Sequence, residues 1–421
     1  MNYLLKNAKV FTDGQFVIRD LTVLNGKVFF SAPDLSNSDG SFTVFDFSSK
    51  IIVPGFVDVH VHLREPGFCY KETILTGTTA GARAGYSALF SMPNLKPVPD
   101  NAKNLKEQTD IIKKDAVIGV YPYGAITVGQ KGETLSDLDE MKDAVAFSDD
   151  GKGVQTESLM EKAMLKAKSL NKIIVAHCED ESLLFGGYIH DGEYAKQNGH
   201  KGICSASEYK QIERDLELVE RTGVSYHVCH VSAKESVDLI RKAKEKGLNV
   251  TAETAPHYLV LDDSMLVDSG DYKMNPPIRA KADRQALIEG ILDGTLEMIA
   301  TDHAPHSIEE KSNGLKGSLN GIVGLETAFP VLYTYLVEKG ILTLEKLIEL
   351  MSINPAKRFG LECGIYDGAP ANVAVFDIEN EYVIDAEKFK SKGRATPFKG
   401  YKVKGECVAN FYNGNLVWKK D

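Results

Sequence analysis

Short apolar segments alternate with amphipathic segments through the middle of the chain. Eight apolar runs with the length of a buried strand follow one another: 56–61, 88–92, 117–121, 144–147, 173–176, 225–229, 248–252 and 297–300. Segments with helical periodicity lie between many of them, such as 208–221 and 233–246. This alternation is typical of α/β proteins with parallel sheets. Eight repeats predict a (β/α)₈ TIM-like barrel, and the lack of a Gly-rich phosphate fingerprint disfavours a doubly wound open sheet.

The two ends of the chain follow a different pattern. Residues 1–52 contain short alternating segments, with an Asp-Gly pair at 13–14 and an Asn-Gly pair at 25–26. These pairs are typical of tight hairpin turns. Residues 366–421 have a similar pattern, and neither end is long enough to build a sheet core alone. We therefore expect both ends to form one small composite β-sandwich domain beside a barrel domain spanning 53–365.

Composition and charge exclude several classes of function. The 421 residues are 43% hydrophobic and 26% charged, which is enough apolar material for a sizeable core. A formal net charge of −10 argues against a nucleic-acid-binding protein, because phosphate contacts need clustered Lys and Arg. We see no signal peptide and no apolar run of about 18 residues, so we expect no membrane span. The six cysteines lie far apart, which favours reduced thiols and a cytoplasmic location.

Candidate metal ligands follow five of the eight predicted strands. His60 and His62 lie two residues apart, so on a strand both rings point to the same side. The full set at the strand ends is His60 and His62, Asp149 and Asp150, His177, His230, and Asp302. In a barrel these ends share the face on which active sites form. Histidine is the commonest metal ligand, so this convergence predicts a metal centre. Spacing alone does not choose between Asp149 and Asp150.

The other histidines carry less weight in this prediction. His190 and His200 lie in a polar segment and are expected to face solvent. His227 and His303 neighbour candidate ligands, and strand alternation turns them to the opposite side, where packing is expected. His257 follows the seventh strand, and its position is compatible with lining the pocket or with packing.

Five motifs, in order along the chain, resemble those of the dihydroorotase family of the amidohydrolase superfamily, most closely its long bacterial type. The resemblance extends through nearly the whole chain, including its split β-domain. The motifs are PGFVDVHVHLREPG at 54–67, MPN at 92–94, HCED at 177–180, MNPP at 274–277 and ATDHAPH at 300–306.

The resemblance implies two zinc ions per subunit. Their implied ligands are His60, His62, Asp150, His177, His230 and Asp302. Both histidines of the His-x-His pair bind the first ion with Asp302 nearby or ligated, and His177 and His230 bind the second. Many relatives bridge the ions with a carboxylated lysine, but this chain has no lysine at the matching strand end before Lys152. It resembles instead the subgroup in which an aspartate bridges, here Asp150, together with a hydroxide.

The resemblance also implies how the substrate is held. Asp302 is the catalytic acid and base, and Arg64 with Asn94 binds a carboxylate group. A planar guanidinium suits bidentate carboxylate binding, and Arg64 lies two residues beyond the second histidine of the pair. A loop at 318–324 covers the site. The implied substrate contacts are His62, Arg64, Asn94, Asn275, His306, Asn320 and Gly321.

The implied activity is the reversible hydrolysis of (S)-dihydroorotate to N-carbamoyl-L-aspartate, a step of pyrimidine biosynthesis. Hydantoinase, dihydropyrimidinase and allantoinase are alternatives that share the His-x-His pair and the final aspartate. Arg64, Asn94 and the missing lysine favour the first activity. A non-catalytic partner of aspartate carbamoyltransferase is disfavoured because no metal ligand is missing. The expected partner is a small molecule, and a homodimer or an association with aspartate carbamoyltransferase stays open.

Overall fold

The computed structural model describes residues 2–31 and 42–420. Residues 32–41, which belong to the expected terminal domain, lie outside the described ranges. The strands in these ranges are β1 (Asn2–Thr12), β2 (Gln15–Leu24), β3 (Lys27–Phe29), β4 (Phe42–Asp46), β5 (Ile51–Pro54), β6 (Phe56–Val61), β7 (Tyr86–Ser91), β8 (Gly119–Pro122), β9 (Gly124–Ala125), β10 (Phe147–Ser148), β11 (Ile173–Ala176), β12 (Ile189–His190), β13 (Gly202–Ile203), β14 (Ser225–Val228), β15 (Val250–Thr254), β16 (Met298–Ile299), β17 (Val373–Asp377), β18 (Tyr382–Val383), β19 (Lys402–Val403), β20 (Glu406–Tyr412) and β21 (Asn415–Lys419).

The α-helices lie mainly between the strands of the central part. They are α1 (Ile74–Arg83), α2 (Ala102–Asp115), α3 (Glu157–Ser169), α4 (Glu193–Asn198), α5 (Ala206–Thr222), α6 (Lys234–Glu245), α7 (Pro256–Val260), α8 (Lys281–Asp293), α9 (Ile308–Lys311), α10 (Gly314–Gly317), α11 (Ala328–Leu332), α12 (Leu344–Ile348) and α13 (Asn354–Phe359). The two helices expected at 208–221 and 233–246 are confirmed as α5 and α6. Within the described residues, every helix is too short or too polar to cross a membrane.

Strands from both ends of the chain form a single sheet. Its order is β21-β20-β17-β5-β1-β2-β3, and β4 pairs with β1 in parallel. The N-terminal strand β5 pairs with the C-terminal strand β17 in antiparallel fashion, and this pairing joins the two ends. Tyr3, Leu5, Val375 and Phe411 belong to one buried cluster that includes side chains from both ends.

The predicted hairpin turns are present in this sheet. Asp13 and Gly14 have φ values of 50° and 75° and connect β1 to β2. Asn25 and Gly26 have φ values of 52° and 77° and connect β2 to β3. Two successive residues with positive φ are the requirement of a type I′ turn, which matches the twist of the flanking strands. The local Asp-Gly and Asn-Gly signals therefore predicted both turns correctly.

The central strands are parallel and pair in two groups. One sheet has the order β6-β7-β8, and the other has the order β16-β15-β14-β11-β10-β9. Each of the eight apolar runs seen in the sequence overlaps a strand of these two sheets. The fold is therefore α/β, with parallel strands alternating with helices and an additional mainly antiparallel sheet from the two ends.

Hydrogen bonds connect the two parallel sheets at both of their edges. At one edge, the Pro122 carbonyl at the end of β8 accepts from the N–H of Val145, just before β10, at 2.9 Å. At the other edge, a parallel bridge joins Val61 to His303, just beyond β16. The His62 N–H donates to the His303 carbonyl at 2.8 Å. The second connection brings the end of β6, with its two histidines, beside the segment that contains Asp302.

Aromatic rings join the terminal sheet to the parallel strands. Phe56 on β6 stacks against Phe376 on β17, with ring centroids 5.2 Å apart, and Phe329 of α11 lies 4.3 Å from Phe376. All three rings are fully buried, and burial of a Phe side chain contributes roughly 1.5–3 kcal/mol. This contact anchors the start of β6, the strand that ends at the histidine pair.

Candidate metal-binding active site

The carboxylate of Asp150 lies at the centre of four histidine rings. Its Oδ1 atom is 3.2 Å from His60 Nε2, 3.5 Å from His230 Nε2 and 3.6 Å from His177 Nδ1. Its Oδ2 atom is 3.4 Å from His62 Nε2. The four rings come from the ends of β6, β11 and β14, and Asp150 follows β10. The structure therefore brings together ligands that are up to 170 positions apart in sequence, from His60 to His230.

Asp302 completes this cluster from the segment after β16. Its Oδ1 atom is 3.1 Å from His62 Nε2 and 3.5 Å from His60 Nε2. Three groups of three side chains have ligand atoms within 4.8 Å of one another, and two of them consist only of histidines and aspartates. One is His60, His62 and Asp302, and the other is Asp150, His177 and His230. These are the two ligand sets expected from the sequence, so the arrangement can hold a divalent metal.

The adjacent aspartates at the end of β10 have separate environments. Asp149 accepts hydrogen bonds from the backbone N–H groups of Ile126 and Thr127 at 2.8 and 3.0 Å, and from the Thr127 hydroxyl. These hydrogen bonds connect the Asp149 carboxylate to the loop after β9. Asp150 points to the histidines. Of the two aspartates that spacing left open, Asp150 is the one whose carboxylate faces the histidines.

The donor atoms of the cluster fit a bound cation. His60 Nε2 and Asp150 Oδ1 are buried and have no hydrogen-bond partner among the described residues. His60 Nδ1 lies 2.8 Å from Glu253 Oε1, and His62 Nδ1 lies 2.8 Å from Asn94 Oδ1. Because these oxygens only accept, the Nδ1 atoms carry the protons and the Nε2 lone pairs face the cluster. Unpaired buried lone pairs are costly unless a metal or proton occupies them.

The electrostatics of the cluster favour positive charge. Burial opposes a charged His177 ring, but Asp150 and Glu179 outweigh burial and raise the pKa of His177 to about 10. Burial also opposes ionisation of Asp302, yet the nearby His62 and His60 rings hold the pKa of Asp302 at about 2. The pKa of Asp150 is well below its usual value, because the histidines outweigh the effect of its burial. Bound divalent cations would supply the positive charge that this cluster favours, and the histidines would not need to be protonated.

Three residues of the site have backbone conformations that side chains other than glycine rarely adopt. The φ values are 61° for Arg64, 32° for His230 and 48° for Asp302. Positive φ costs of order 1–3 kcal/mol at such a residue, and the surrounding structure must enforce it. Each residue lies where a parallel strand has just ended. The strained turns aim these side chains across the end of the sheet, a pattern found at functional sites.

A cavity of about 210 Å³ opens above the cluster. Its lining residues are His62, Arg64, Asn94, Asp150, Gly151, His177, His230, Asn275, Asp302, Ala304, His306, Asn320 and Gly321. All the predicted site residues except His60 are in this set, and His60 lies directly beneath it. A larger cavity of about 1300 Å³, beside Arg83, Glu326 and Trp418, includes none of the candidate ligands. The ligand cluster therefore marks the smaller cavity as the candidate active site.

Arg64 is a buried cation in the cavity wall. Its Nε donates to the Pro305 carbonyl at 3.2 Å, and one terminal nitrogen lies 3.4 Å from His306 Nε2. Among residues 2–31 and 42–420, no carboxylate oxygen lies within 4.0 Å of the guanidinium. Burial lowers the pKa of Arg64 to about 10, so the group stays charged. A buried guanidinium without a carboxylate partner is suited to bind an anionic ligand.

The His306 ring connects the cavity wall to its covering loop. Its Nε2 lies 2.7 Å from the Asn320 carbonyl oxygen, and its Nδ1 lies 3.2 Å from Lys71 Nζ. The carbonyl only accepts, so Nε2 carries a proton, and Nδ1 lies at 3.2 Å from Glu310 Oε2 as well as from Lys71 Nζ. Burial, with Arg64 and Lys71 nearby, lowers the pKa of His306 to about 3. The ring therefore stays neutral through the ordinary pH range.

Four participants were not found from the sequence. Glu253 supports His60, Glu179 Oε1 accepts a bond from Asn275 Nδ2 at 2.9 Å, and Lys71 contacts His306. Cys229 lies close enough to His60 and Asp150 to form a third ligand group. Glu253 offered a signal, because it is a charged residue in the otherwise uncharged strand β15. Glu179 lies in the HCED motif at 177–180, which did not by itself indicate its contact with Asn275, and Lys71 and Cys229 had no pattern that set them apart.

The remaining histidines lie outside the cavity lining. His227 bonds to Glu253 and Thr251, away from the cluster. His303 accepts from the Gly324 N–H at 3.2 Å. His257 is fully buried against the Tyr258 ring, which favours the packing alternative.

The expectation that two histidines face solvent needs correction. It is wrong for His190, which is buried on β12 where that strand pairs with β13. His200 is partly buried because its ring stacks on Tyr194 and bonds to the Tyr188 hydroxyl. A polar sequence did not reveal that this segment folds back on itself.

Comparisons with known proteins agree with this geometry. A family model described as dihydro-orotase-like matches residues 49–236. A dihydroorotase of Enterococcus faecalis is 50% identical over all of both chains. Dihydroorotases of Listeria welshimeri and Bacillus cereus are 48% and 47% identical to this chain. Each match covers 99% of the relative's length. The chain belongs to the dihydroorotase family. It is therefore related to cyclic amide hydrolases along its whole length.

Solved structures of related amidohydrolases share the fold of this family member. An L-hydantoinase (dihydropyrimidinase) from Arthrobacter aurescens has a TM-score of 0.86 and 26% identity, covering 99% of this chain and 96% of that one. A dihydropyrimidinase from Brevibacillus agri has a TM-score of 0.84 and 23% identity, and the match covers 100% of this chain and 95% of that one. The similarity to the Brevibacillus agri structure shows a shared fold only.

Proposed function

We propose that this protein is a dihydroorotase, which hydrolyses the ring amide of (S)-dihydroorotate to N-carbamoyl-L-aspartate and also catalyses the reverse reaction. Arg64 is the observation that carries the proposal. The substrate has a carboxylate beside its ring, and Arg64 is a buried guanidinium without a carboxylate partner within 4.0 Å among the described residues. It lines the same cavity as the metal-ligand cluster. The full-length identity of about half with curated dihydroorotases supports the same substrate.

The parallel strands, in this proposal, close into a (β/α)₈ barrel that spans 53–365. The hydrogen bonds at both edges of the two sheets support closure. So does the buried cluster in which Val57, Val175 and Met298, from β6, β11 and β16, pack together. Residues 1–52 and 366–421 form the accompanying β-domain, as their shared sheet suggests. Barrel enzymes place their chemistry at the carboxyl ends of the strands, where this ligand cluster lies.

Zinc is the proposed metal, with two ions per subunit. His60, His62 and Asp302 hold one ion, His177 and His230 hold the other, and Asp150 contacts both sets. Nitrogen and carboxylate donors are typical zinc ligands. Bound zinc supplies Lewis acidity, which strengthens water as a nucleophile at neutral pH and polarises the ring carbonyl.

Asp302 is the proposed acid and base of the reaction. Its carboxylate is buried at the cavity floor and remains ionised because of the neighbouring histidines. It takes the proton of the attacking water as the new carbon–oxygen bond forms. It then gives this proton to the ring nitrogen as the carbon–nitrogen bond breaks. One proton is taken and one returned, so Asp302 is ready for the next cycle.

The substrate is oriented by groups on the opposite wall. Arg64 binds the carboxylate as a fork, and the Asn94 amide nitrogen faces the same space because its oxygen accepts from His62. Asn275, held by Glu179, and the loop at Asn320 and Gly321 contact the ring. These contacts distinguish an acidic ring from the uncharged rings that hydantoinases accept.

A substrate panel tests this proposal directly. The purified chain, loaded with zinc and without any carbamoyltransferase, is assayed with dihydroorotate, dihydrouracil, hydantoin and allantoin. We expect turnover of dihydroorotate, with kcat/KM at least tenfold above that of the other rings. Rapid hydantoin or allantoin turnover without dihydroorotate turnover overturns the assignment. Activity that needs added aspartate carbamoyltransferase would identify that protein as a partner.

A further inference from the structure

Lys311 is a buried lysine at the end of α9, close behind the cavity wall. Its side chain is largely inaccessible, and its Nζ donates to the carbonyl oxygens of Lys273 and Leu319 at 2.8 and 2.7 Å. Among residues 2–31 and 42–420, no carboxylate oxygen lies within 4.0 Å of this ammonium. Burying a charged amine is costly unless its donors are satisfied. Backbone carbonyls accept from two of its three N–H donors, and burial lowers the pKa of Lys311 to about 7. The side chain thus connects two loops.

The two carbonyls belong to neighbouring segments that each contribute residues to the cavity lining. Leu319 directly precedes Asn320 and Gly321, and Lys273 lies two residues before Asn275. The Gly321 N–H also donates to the Lys273 carbonyl, at 3.0 Å. Lys311 therefore bonds to both segments at once, and the Lys273 carbonyl receives a bond from each of Lys311 and Gly321.

Polar contacts hold the covering loop, and they include a hydrogen bond from the Leu319 N–H to the Glu310 carbonyl at 3.0 Å. The Leu319 side chain is 45% exposed and Asn320 is also exposed, so the loop has little apolar burial of its own. The Asn320 carbonyl accepts from His306 Nε2 at 2.7 Å. Gly321 has a φ of 132°, and a Cβ there would meet the Ala304 carbonyl at 2.6 Å. Polar bonds and one close backbone approach, rather than packing, set the position of this loop.

We propose that Lys311 is a positioning residue for substrate binding, which holds the loop at 319–321 and the segment at 273–275 at the spacing that a bound dihydroorotate requires. The inference rests on the proposed function, because the spacing matters only for a ligand in this cavity. Lysine suits the task because its ammonium carries three donors on a flexible stem and reaches carbonyls in two directions. The residue lies outside the cavity lining, so it acts through the backbone that it binds.

Three variants separate positioning from general stability. Lys311→Met keeps the length and removes every donor, Lys311→Gln keeps two donors on a shorter stem, and Lys316→Met is the control at an exposed lysine of α10. We expect Lys311→Met to raise KM for dihydroorotate at least tenfold, the factor given by about 1.4 kcal/mol. Its kcat should fall less than threefold. Lys311→Gln should have an intermediate KM, and Lys316→Met should match the wild type.

A second measurement follows the loop itself. Hydrogen exchange of a peptide spanning 319–321 should be faster in Lys311→Met than in the wild type and unchanged in Lys316→Met, at equal zinc content. If Lys311→Met does not fold, Lys311→Gln decides by the same two measurements. An unchanged KM, or a fall in kcat without a rise in KM, overturns the positioning role. Failure of the wild type to hydrolyse dihydroorotate would instead refute the proposed function.

Discussion

Glu253 Oε1 lies 2.8 Å from Nδ1 of His60, and the same carboxylate reaches His227 Nε2 with its other oxygen at 3.0 Å. A carboxylate only accepts hydrogen bonds, so His60 carries a proton on Nδ1 and its Nε2 faces Asp150. Carboxylates in this position orient metal-binding histidines and increase their basicity. The hydrogen bonds to His227 and His60, opposed by burial, hold the pKa of Glu253 at about 2, so it remains ionised.

Replacing this carboxylate should weaken metal binding. We expect Glu253→Gln to lower zinc affinity about 10- to 100-fold, because the amide keeps the shape of the side chain and loses its charge. Competition with a chromophoric chelator measures the affinity directly. The matched control is Glu245→Gln, at an exposed glutamate that ends α6. Equal zinc affinity in both variants would show that the bond between Glu253 and His60 has no influence on the metal.

Asp302 should be needed for turnover more than for metal retention. We expect Asp302→Asn to lower kcat about 10²- to 10⁴-fold, the usual contribution of an acid and base group. Because five other ligands remain, most of the zinc should stay bound at saturating zinc. Steady-state kinetics and metal analysis of the same sample test both statements. Turnover close to that of the wild type would rule out the proton-transfer role.

Arg64 should discriminate between acidic and uncharged rings. We expect Arg64→Ala to lower kcat/KM for dihydroorotate about 10²-fold or more, since charge-assisted hydrogen bonds contribute roughly 1.5–3 kcal/mol each. Dihydrouracil has the same ring without the carboxylate, so its slow hydrolysis should change little. Arg64→Lys keeps the charge without the planar fork and should give an intermediate result. Equal losses for both substrates would mean that Arg64 supports the site in some other way.

Local sequence signals predicted much of this structure. The apolar runs matched the parallel strands, and the Asp-Gly and Asn-Gly pairs matched the hairpin turns. The histidine pair at 60 and 62 was predicted to share one side, because strand alternation is a local property. In each case the determining interaction lies within a few residues. Convergence of the five strand ends followed from the parallel arrangement rather than from any single residue.

Other features depended on contacts between distant segments. Asp149 and Asp150 are chemically identical neighbours, and only the loop at Ile126 and Thr127 determines which one faces the histidines. His190 is buried by the pairing of two very short strands. Lys311 resembled any surface lysine until the two carbonyls around it were known. Sequence patterns report periodicity, but not the partner of a single charged side chain.

A buried ion pair beside the site should contribute to stability in a pH-dependent way. Glu208 Oε2 lies 3.3 Å from Arg279, and Glu208 also accepts hydrogen bonds from the backbone N–H groups of Ser232 and Ala233, each at 3.0 Å. It thereby holds the turn that follows His230. We expect Glu208→Gln to lower the free energy of unfolding by about 3–5 kcal/mol at pH 7, because Arg279 is left buried without its counter-charge.

The pH dependence of this loss has a definite sign. Burial alone would raise the pKa of Glu208, but Arg279 and the hydrogen-bond donors outweigh it, so the pKa in the folded protein lies below the usual 4.5. The contribution of Glu208 is therefore complete above pH 4.5 and declines as the pH falls below that value. Urea unfolding of the wild type and Glu208→Gln at a series of pH values measures the difference, which should shrink only at the acidic end. Glu245→Gln should lose almost nothing at any pH. A constant difference for Glu208→Gln down to pH 3 would contradict a folded-state pKa of Glu208 below 4.5.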